Sequence, residues 1–327
     1  MSKSLLLAFA VAVSILGLSF VAPPYVRAGD IDSELADLID EPSRSDLFEL
    51  VIAADVKENG PLTTQQVGEF DLRGPFTYPE DADIDRSTGL PREKSIFCVD
   101  VSHHQGRDIR FDLFRDQRIR CVYVKASQGI RFKDPLFASN WRSLETLSGQ
   151  NKVLRGAYHF LSADGDPGKQ ADNYLRLLAK HGPLRADDLP PVLDLEWDIG
   201  VRGGADRWQS DRYSADPDQI IQNALIWLQK VESETGKTPM VYTARAWWRE
   251  AIGPEAKISA FEHYHLWIAD YSRSSAAVEL PKVPANADWH LWQFTDRAYL
   301  REGFDRPVDS NIYKGTEADF LREFGLD

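Results

Sequence analysis

Sulfur is scarce in this chain: its 327 residues hold two cysteines and two methionines. That excludes a small disulfide-framed scaffold and a thiolate zinc module, both of which need several cysteines at close spacing. No further cysteine or histidine cluster accompanies Cys98 and Cys121 at ligand spacing, so no metal is expected. An excess of positive charge is missing too, with 38 Lys and Arg against 51 Asp and Glu and a net charge of −13. Such a chain gains nothing from attraction to nucleic acid or to an anionic membrane, and neither is expected as a partner. Glycine-rich phosphate loops are absent, since Gly203-Gly204 sits in a long polar stretch. No Gly-x-Ser-x-Gly elbow accompanies Ser102 or Ser127, which leaves acyl transfer unsupported.

One long apolar run is present. Lys3 precedes Leu5 to Ala22, and Val26-Arg27-Ala28 offers small residues where a signal peptidase cuts. Residues 1–28 therefore read as a secretory signal cleaved after Ala28, with an uncleaved anchor as the alternative, because the run is close to the shortest that spans a bilayer. Beyond it no membrane insertion is expected. Residues 29–95 carry 17 Asp and Glu against 6 Lys and Arg. They read as an acidic extension, with one or two amphipathic helices around Leu35–Val51 followed by a Pro- and Gly-rich linker.

From Ser95 onward short apolar runs alternate with helical stretches. Candidate strands are 96–102, 121–127, 153–160, 191–196, 239–243, 264–270, 289–294 and 306–311. Candidate helices include 135–148, 166–181 and 217–235, the last with Asp216 as cap and Gly236 as stop. This α/β alternation, repeated about eight times, predicts one TIM-like β/α barrel with parallel strands over 96–327. Cys98 and Cys121 would lie on its first two strands, where export permits a disulfide; two buried free thiols are the plainer reading.

Nearly every candidate strand ends in a polar residue: Asp100, Lys125 and Ser127, Tyr158 and His159, Asp194 and Glu196, Tyr242, Asp270, Gln293, then Asp309 and Asn311. In a β/α barrel those ends converge on one mouth, where active sites are built. Each Asp taken alone could instead cap the next helix. Asp194 and Glu196 follow the apolar run Leu189–Leu193, so a buried strand leads to them. Two carboxylates on one inward face cannot both ionise freely, which favours a protonated acid of the kind glycosidic cleavage requires.

These blocks resemble glycoside hydrolase family 25, lysozymes that cut between N-acetylmuramic acid and N-acetylglucosamine. The matching runs are Asp100–Gly106, Val124–Gly129, Asp134-Pro135 with Phe137 and Asn140, and Gly156–Phe160. Gln170-Ala171, Leu193–Glu196, Val241–Thr243, Leu266–Tyr271, Leu291–Phe294 and Val308-Asp309 follow in order. The resemblance implies Glu196 as general acid and Asp194 as the residue orienting the substrate's N-acetyl group in a retaining, substrate-assisted reaction, or else an Asp acting directly as nucleophile. It implies Asp100 and Asp309 as further acidic residues of the mouth. Tyr158, Tyr242, Tyr271, Gln293 and Lys125 become substrate-contacting positions, peptidoglycan glycan strands the partner, and no cofactor is needed.

Two departures from the family pattern stand out. Gln128 occupies a position that usually carries an acid. Residues 198–216, with Arg202, Arg207, Trp208, Arg212 and Tyr213, form a longer and more polar connection than usual, either a cleft wall or a surface loop. His103, His104 and His159 read as packing or sugar-contact residues. A hydrolase of chitin-like polymers and a non-catalytic cell-wall-binding barrel are the alternative functions.

Overall fold

The computed structural model of the protein describes residues 75–85, 88–199, 206–209 and 216–326. The expected signal, most of the acidic extension, and Arg202, Arg212 and Tyr213 lie outside the described residues.

Ten strands form one sheet: β1 (Thr77–Tyr78), β2 (Ile96–Val101), β3 (Ile119–Gln128), β4 (Phe132–Lys133), β5 (Leu154–Phe160), β6 (Val192–Asp194), β7 (Met240–Ala244), β8 (His265–Ala269), β9 (Leu291–Leu300) and β10 (Val308–Tyr313). Eight of them close a barrel in the order β9-β10-β2-β3-β5-β6-β7-β8, with β8 returning to β9. Seven run parallel; β10 is antiparallel to both of its neighbours. This corrects the all-parallel expectation. The seven residues 301–307 between β9 and β10 are too few for a helical crossover, so the chain turns back as a hairpin.

The helices α1 (Phe137–Glu145), α2 (Pro167–His181) and α3 (Pro217–Thr235) pack outside the barrel. α3 starts and stops as its ends dictate. The Asp216 carboxylate accepts from Asp218 N–H at 3.1 Å, Pro217 occupies the first turn, and Gly236 takes the left-handed conformation that ends the helix. Ile220, Ile221, Ala224, Trp227, Leu228 and Val231 recur at helical spacing and are buried. Between this helix and the barrel, the Trp227 ring stacks on His159 at 5.6 Å and meets Tyr174 of α2 at 5.2 Å. Inside the barrel the Tyr123 ring lies over Gly156, its register partner on β5, where any Cβ would collide with it.

The end of the expected linker belongs to this packed body. β1 pairs with Tyr299 and Leu300, and Tyr78 is fully buried with its hydroxyl bonded to Ser310. Phe76 packs edge-on against Tyr78 and Phe294. Three aromatic contacts to the barrel, Phe76 with Phe97 and Phe294 and Tyr78 with Phe97, explain why a stretch without strand periodicity nevertheless docks. Cys98 and Cys121 are register partners on β2 and β3, with Cα atoms 4.5 Å apart, and form a disulfide.

Candidate active site

Strand pleating decides which polar residues face inward. On β5, Tyr158 faces the interior and His159 faces the helices. A one-residue register shift between Lys125 and Ser127 divides β3 in the same way. Lys125 stays with Tyr158, while Ser127 turns out to bond His159 Nδ1 at 2.8 Å. Burial holds the His159 imidazole down at about 3, so it is neutral, and its Nε2 lies 3.3 Å from Gln170. Ser127 and His159 are therefore packing residues behind the mouth.

Asp100, Tyr158, Asp194 and Tyr242 line one recess together with Val192 and Trp267. Asp194 ends β6, in register with Phe160 and Tyr242. The last ladder bond there runs from Leu195 N–H to Tyr242 O, and Glu196 lies just past the strand, 5% exposed. The strand is thus shorter than expected. The reversal of β10 puts Asp309 at that strand's beginning, where it opposes Asp100 in register. An antiparallel strand delivers its N-terminal residues to the mouth, which is why Asp309 arrives beside the C-terminal end of β2.

A hydrogen-bonded chain orders the recess. Gln293 Nε2 and Asn311 Nδ2 both donate to Asp100 Oδ2, at 2.8 and 2.9 Å. Gln293 Oε1 accepts from the Tyr242 hydroxyl at 2.7 Å and from the Tyr271 hydroxyl. The Trp267 indole donates to Asn311 Oδ1 at 2.8 Å. Trp267 is a recess residue that no strand-end position marks; its signal is the inward parity of β8, legible only with the neighbouring strands in place.

Lys125 donates to Gln128 Oε1 at 2.9 Å, and its ammonium sits 5.4 Å from the centre of the Phe160 ring. Gln128 therefore stays a partner of Lys125 although it lacks an acid's charge. His103 Nδ1 is 2.8 Å from Asp134, whose carboxylate also accepts from His103 N–H and Leu136 N–H. Asp270 turns away from the recess to cap the next turn, accepting from Ser272 N–H, Ser275 Oγ and Lys282 N–H. For this residue the capping alternative holds.

At the start of β8, His265, His290 and Glu323 bring candidate ligand atoms within 4.8 Å of one another. His290 Nδ1 accepts from Leu266 N–H at 3.0 Å, so the ring proton sits on Nε2, 3.3 Å from Glu323. A nitrogen already carrying that proton offers no lone pair to a metal.

The fold and the recess define a β/α-barrel enzyme with its polar residues gathered at the C-terminal mouth. The sequence model of the glycosyl hydrolases family 25 matches residues 99–302, and the chain belongs to that family. It is a glycoside hydrolase of the lysozyme type. Over 233 residues it is 30% identical to the uncharacterized protein YegX of Escherichia coli strain K12, covering 69% of this chain and 72% of that one. Lysozyme M1 of Streptomyces globisporus is 25% identical over 240 residues, 72% of this chain and 74% of its own. The crystal structure of the bacterial lysozyme from Streptomyces coelicolor superposes with a TM-score of 0.57 at 25% identity, over 70% of this chain and 97% of that chain.

Proposed function

We propose that this protein is an exported muramidase that hydrolyses the β-1,4 bond between N-acetylmuramic acid and N-acetylglucosamine in peptidoglycan. Glu196 protonates the leaving oxygen. Asp194 holds the substrate's N-acetyl group so that its carbonyl oxygen attacks the anomeric carbon, and Asp100 and Asp309 complete the acidic mouth. Water then attacks the anomeric carbon from the face the leaving sugar vacated, breaking the bond to the acetamido oxygen and giving its proton to Glu196, and configuration is retained. Tyr158, Tyr242, Tyr271 and Lys125 contact the sugar, and Gln293, which is fully buried, holds Asp100, Tyr242 and Tyr271 from behind rather than touching substrate as the resemblance implied.

The observation that carries this reading is the convergence of Asp100, Asp194, Tyr158 and Tyr242 on one recess beside the chain segment bearing Glu196. An apolar run followed by small residues at 26–28 supports export, as does the extracellular position of the wall polymer.

Glu196→Gln should abolish the release of reducing ends from purified sacculi while leaving the melting temperature unchanged. Asp194→Asn should lose most of the activity. Mass spectrometry of the wild-type products identifies the bond cut, and products ending in reducing N-acetylglucosamine would reject the muramidase assignment. Full activity in Glu196→Gln would remove that residue from the acid role.

A further inference from the structure

The sheet stops supporting the chain just before Glu196. Leu195 N–H makes the last ladder bond, and the next three residues are held by contacts from elsewhere. The Glu196 carbonyl accepts from the Trp208 indole at 3.1 Å. The Trp197 indole donates to Glu250 at 3.1 Å. Asp198 N–H donates to the Asp206 carboxylate at 3.0 Å, and Asp198 O accepts from Arg207 N–H at 2.9 Å.

Asp206 is the centre of this strap. Its Oδ1 accepts from Asp198 N–H and from Trp208 N–H at 3.2 Å, and its Oδ2 accepts from the Trp247 indole at 2.9 Å, just beyond β7. The Asp198 side chain is tied in turn to the segment after β5, accepting from Ser162 Oγ at 2.9 Å and Ala163 N–H at 2.8 Å. Trp208, Trp247, Asp198 and Asp206 are all buried. The segment bearing Glu196 is thus fastened to the chain after β5 by Asp198 itself, and to the chain after β7 through residues 206–208, which lie within the long polar connection after β6.

We infer that Asp206 and Trp208 are positioning residues for Glu196: they continue, by side-chain hydrogen bonds, the restraint that strand β6 stops providing at Asp194. The physical need is plain. A general acid works only when its proton lies within hydrogen-bond reach of the leaving oxygen, and a displacement of about 1 Å costs roughly 100-fold. A carboxylic acid on an unsupported loop would sample many positions. The strap removes that freedom at the two peptide units that follow the Glu196 Cα, through the Glu196 carbonyl and the Asp198 N–H.

This inference rests on Glu196 being the acid, and the test separates the two ideas. Trp208→Phe keeps an aromatic six-membered ring but loses the N–H donor together with the pyrrole part of the buried indole; Asp206→Asn keeps the shape without any loss of volume but presents an amide to the donors. Two substrates are compared: peptidoglycan, whose sugar leaving group needs protonation, and a dinitrophenyl glycoside of the same disaccharide, whose leaving group does not. Both variants should lower kcat on peptidoglycan by roughly 10- to 100-fold with KM within about twofold, and leave kcat/KM for the aryl glycoside, which reports the steps up to loss of the leaving group, nearly unchanged. The double variant should lose less than the product of the single losses, because both act on one unit.

Equal loss on the two substrates, or no loss on either, would overturn the positioning role. Glu196→Gln is run alongside. If it is inactive on peptidoglycan but active on the aryl glycoside, the acid assignment stands whatever the strap variants do. Full activity of Glu196→Gln on peptidoglycan would reject that assignment first.

Discussion

The amide of Gln293 joins Asp100 to two tyrosines: its Nε2 donates to Asp100 Oδ2 at 2.8 Å, while its Oε1 accepts from Tyr242 and Tyr271. The amide's two ends do opposite jobs, which also fixes its orientation. Gln293 is fully buried, so its amide cannot replace any of these partners with bulk water.

Glutamate at this position would replace the donor to Asp100 with a second buried acceptor. Gln293→Glu should cost about 2–4 kcal/mol of stability and lower sacculus digestion by roughly 100-fold or more. Denaturant unfolding and reducing-end release measure the two effects. Wild-type activity with unchanged stability would show that Asp100 does not depend on the bridge.

Asp206 makes stability depend on pH in a defined direction. Burial pushes its carboxyl from 3.8 up to about 6, opposed by the N–H groups of Trp247, Trp208 and Asp198; the nearby Asp198 charge adds to the rise. Arg207, 3.6 Å from Asp198, is the cation of this cluster. The folded protein therefore binds this proton more tightly than the unfolded chain. Its contribution to stability is complete below about pH 4 and is lost as the pH rises through about 6. Asp206→Asn should flatten the fall in melting temperature between those values by about 2–4 °C. A parallel pair of melting curves across pH 4 to 7 would contradict the assignment.

Tyr78 tests where the folded body begins. Tyr78→Ala empties a fully buried site and removes the bond to Ser310, so it should cost about 3–5 kcal/mol. Equilibrium unfolding checks this directly. A linker residue would give no change, and that result would return residues 75–95 to the role the composition suggested.

Much of the fold was legible in the sequence because local signals agreed. α3 occupies the expected residues since Asp216, Pro217 and Gly236 each specify a helix end. All eight barrel strands fall on the expected apolar runs, shifted by a few residues at their ends. The reversal of the eighth strand runs against the parallel pattern that strand-and-helix alternation implies; its one local sign is that the chain between the last two runs shows no helical pattern, and a short connection of that kind implies a hairpin. Tyr158 and His159 could not be told apart as mouth and packing residues by position alone. Ser127 and Lys125, two apart, would share a face in a regular strand; the register shift in β3 separates them, and no residue type announces it.

The sequence by itself determined the strand-and-helix alternation, the family, and the collection of Asp, Glu, Tyr and Gln at strand ends. These follow from periodicity, capping and motif spacing, all of which act over a few residues. Only the tertiary structure decided that Asp309 opposes Asp100, that Gln293 links Asp100 to Tyr242 and Tyr271, and that Trp208 reaches back to the Glu196 carbonyl. Those contacts depend on closing the barrel, which sets the register of strands far apart in the chain, and no local preference encodes a distance between them.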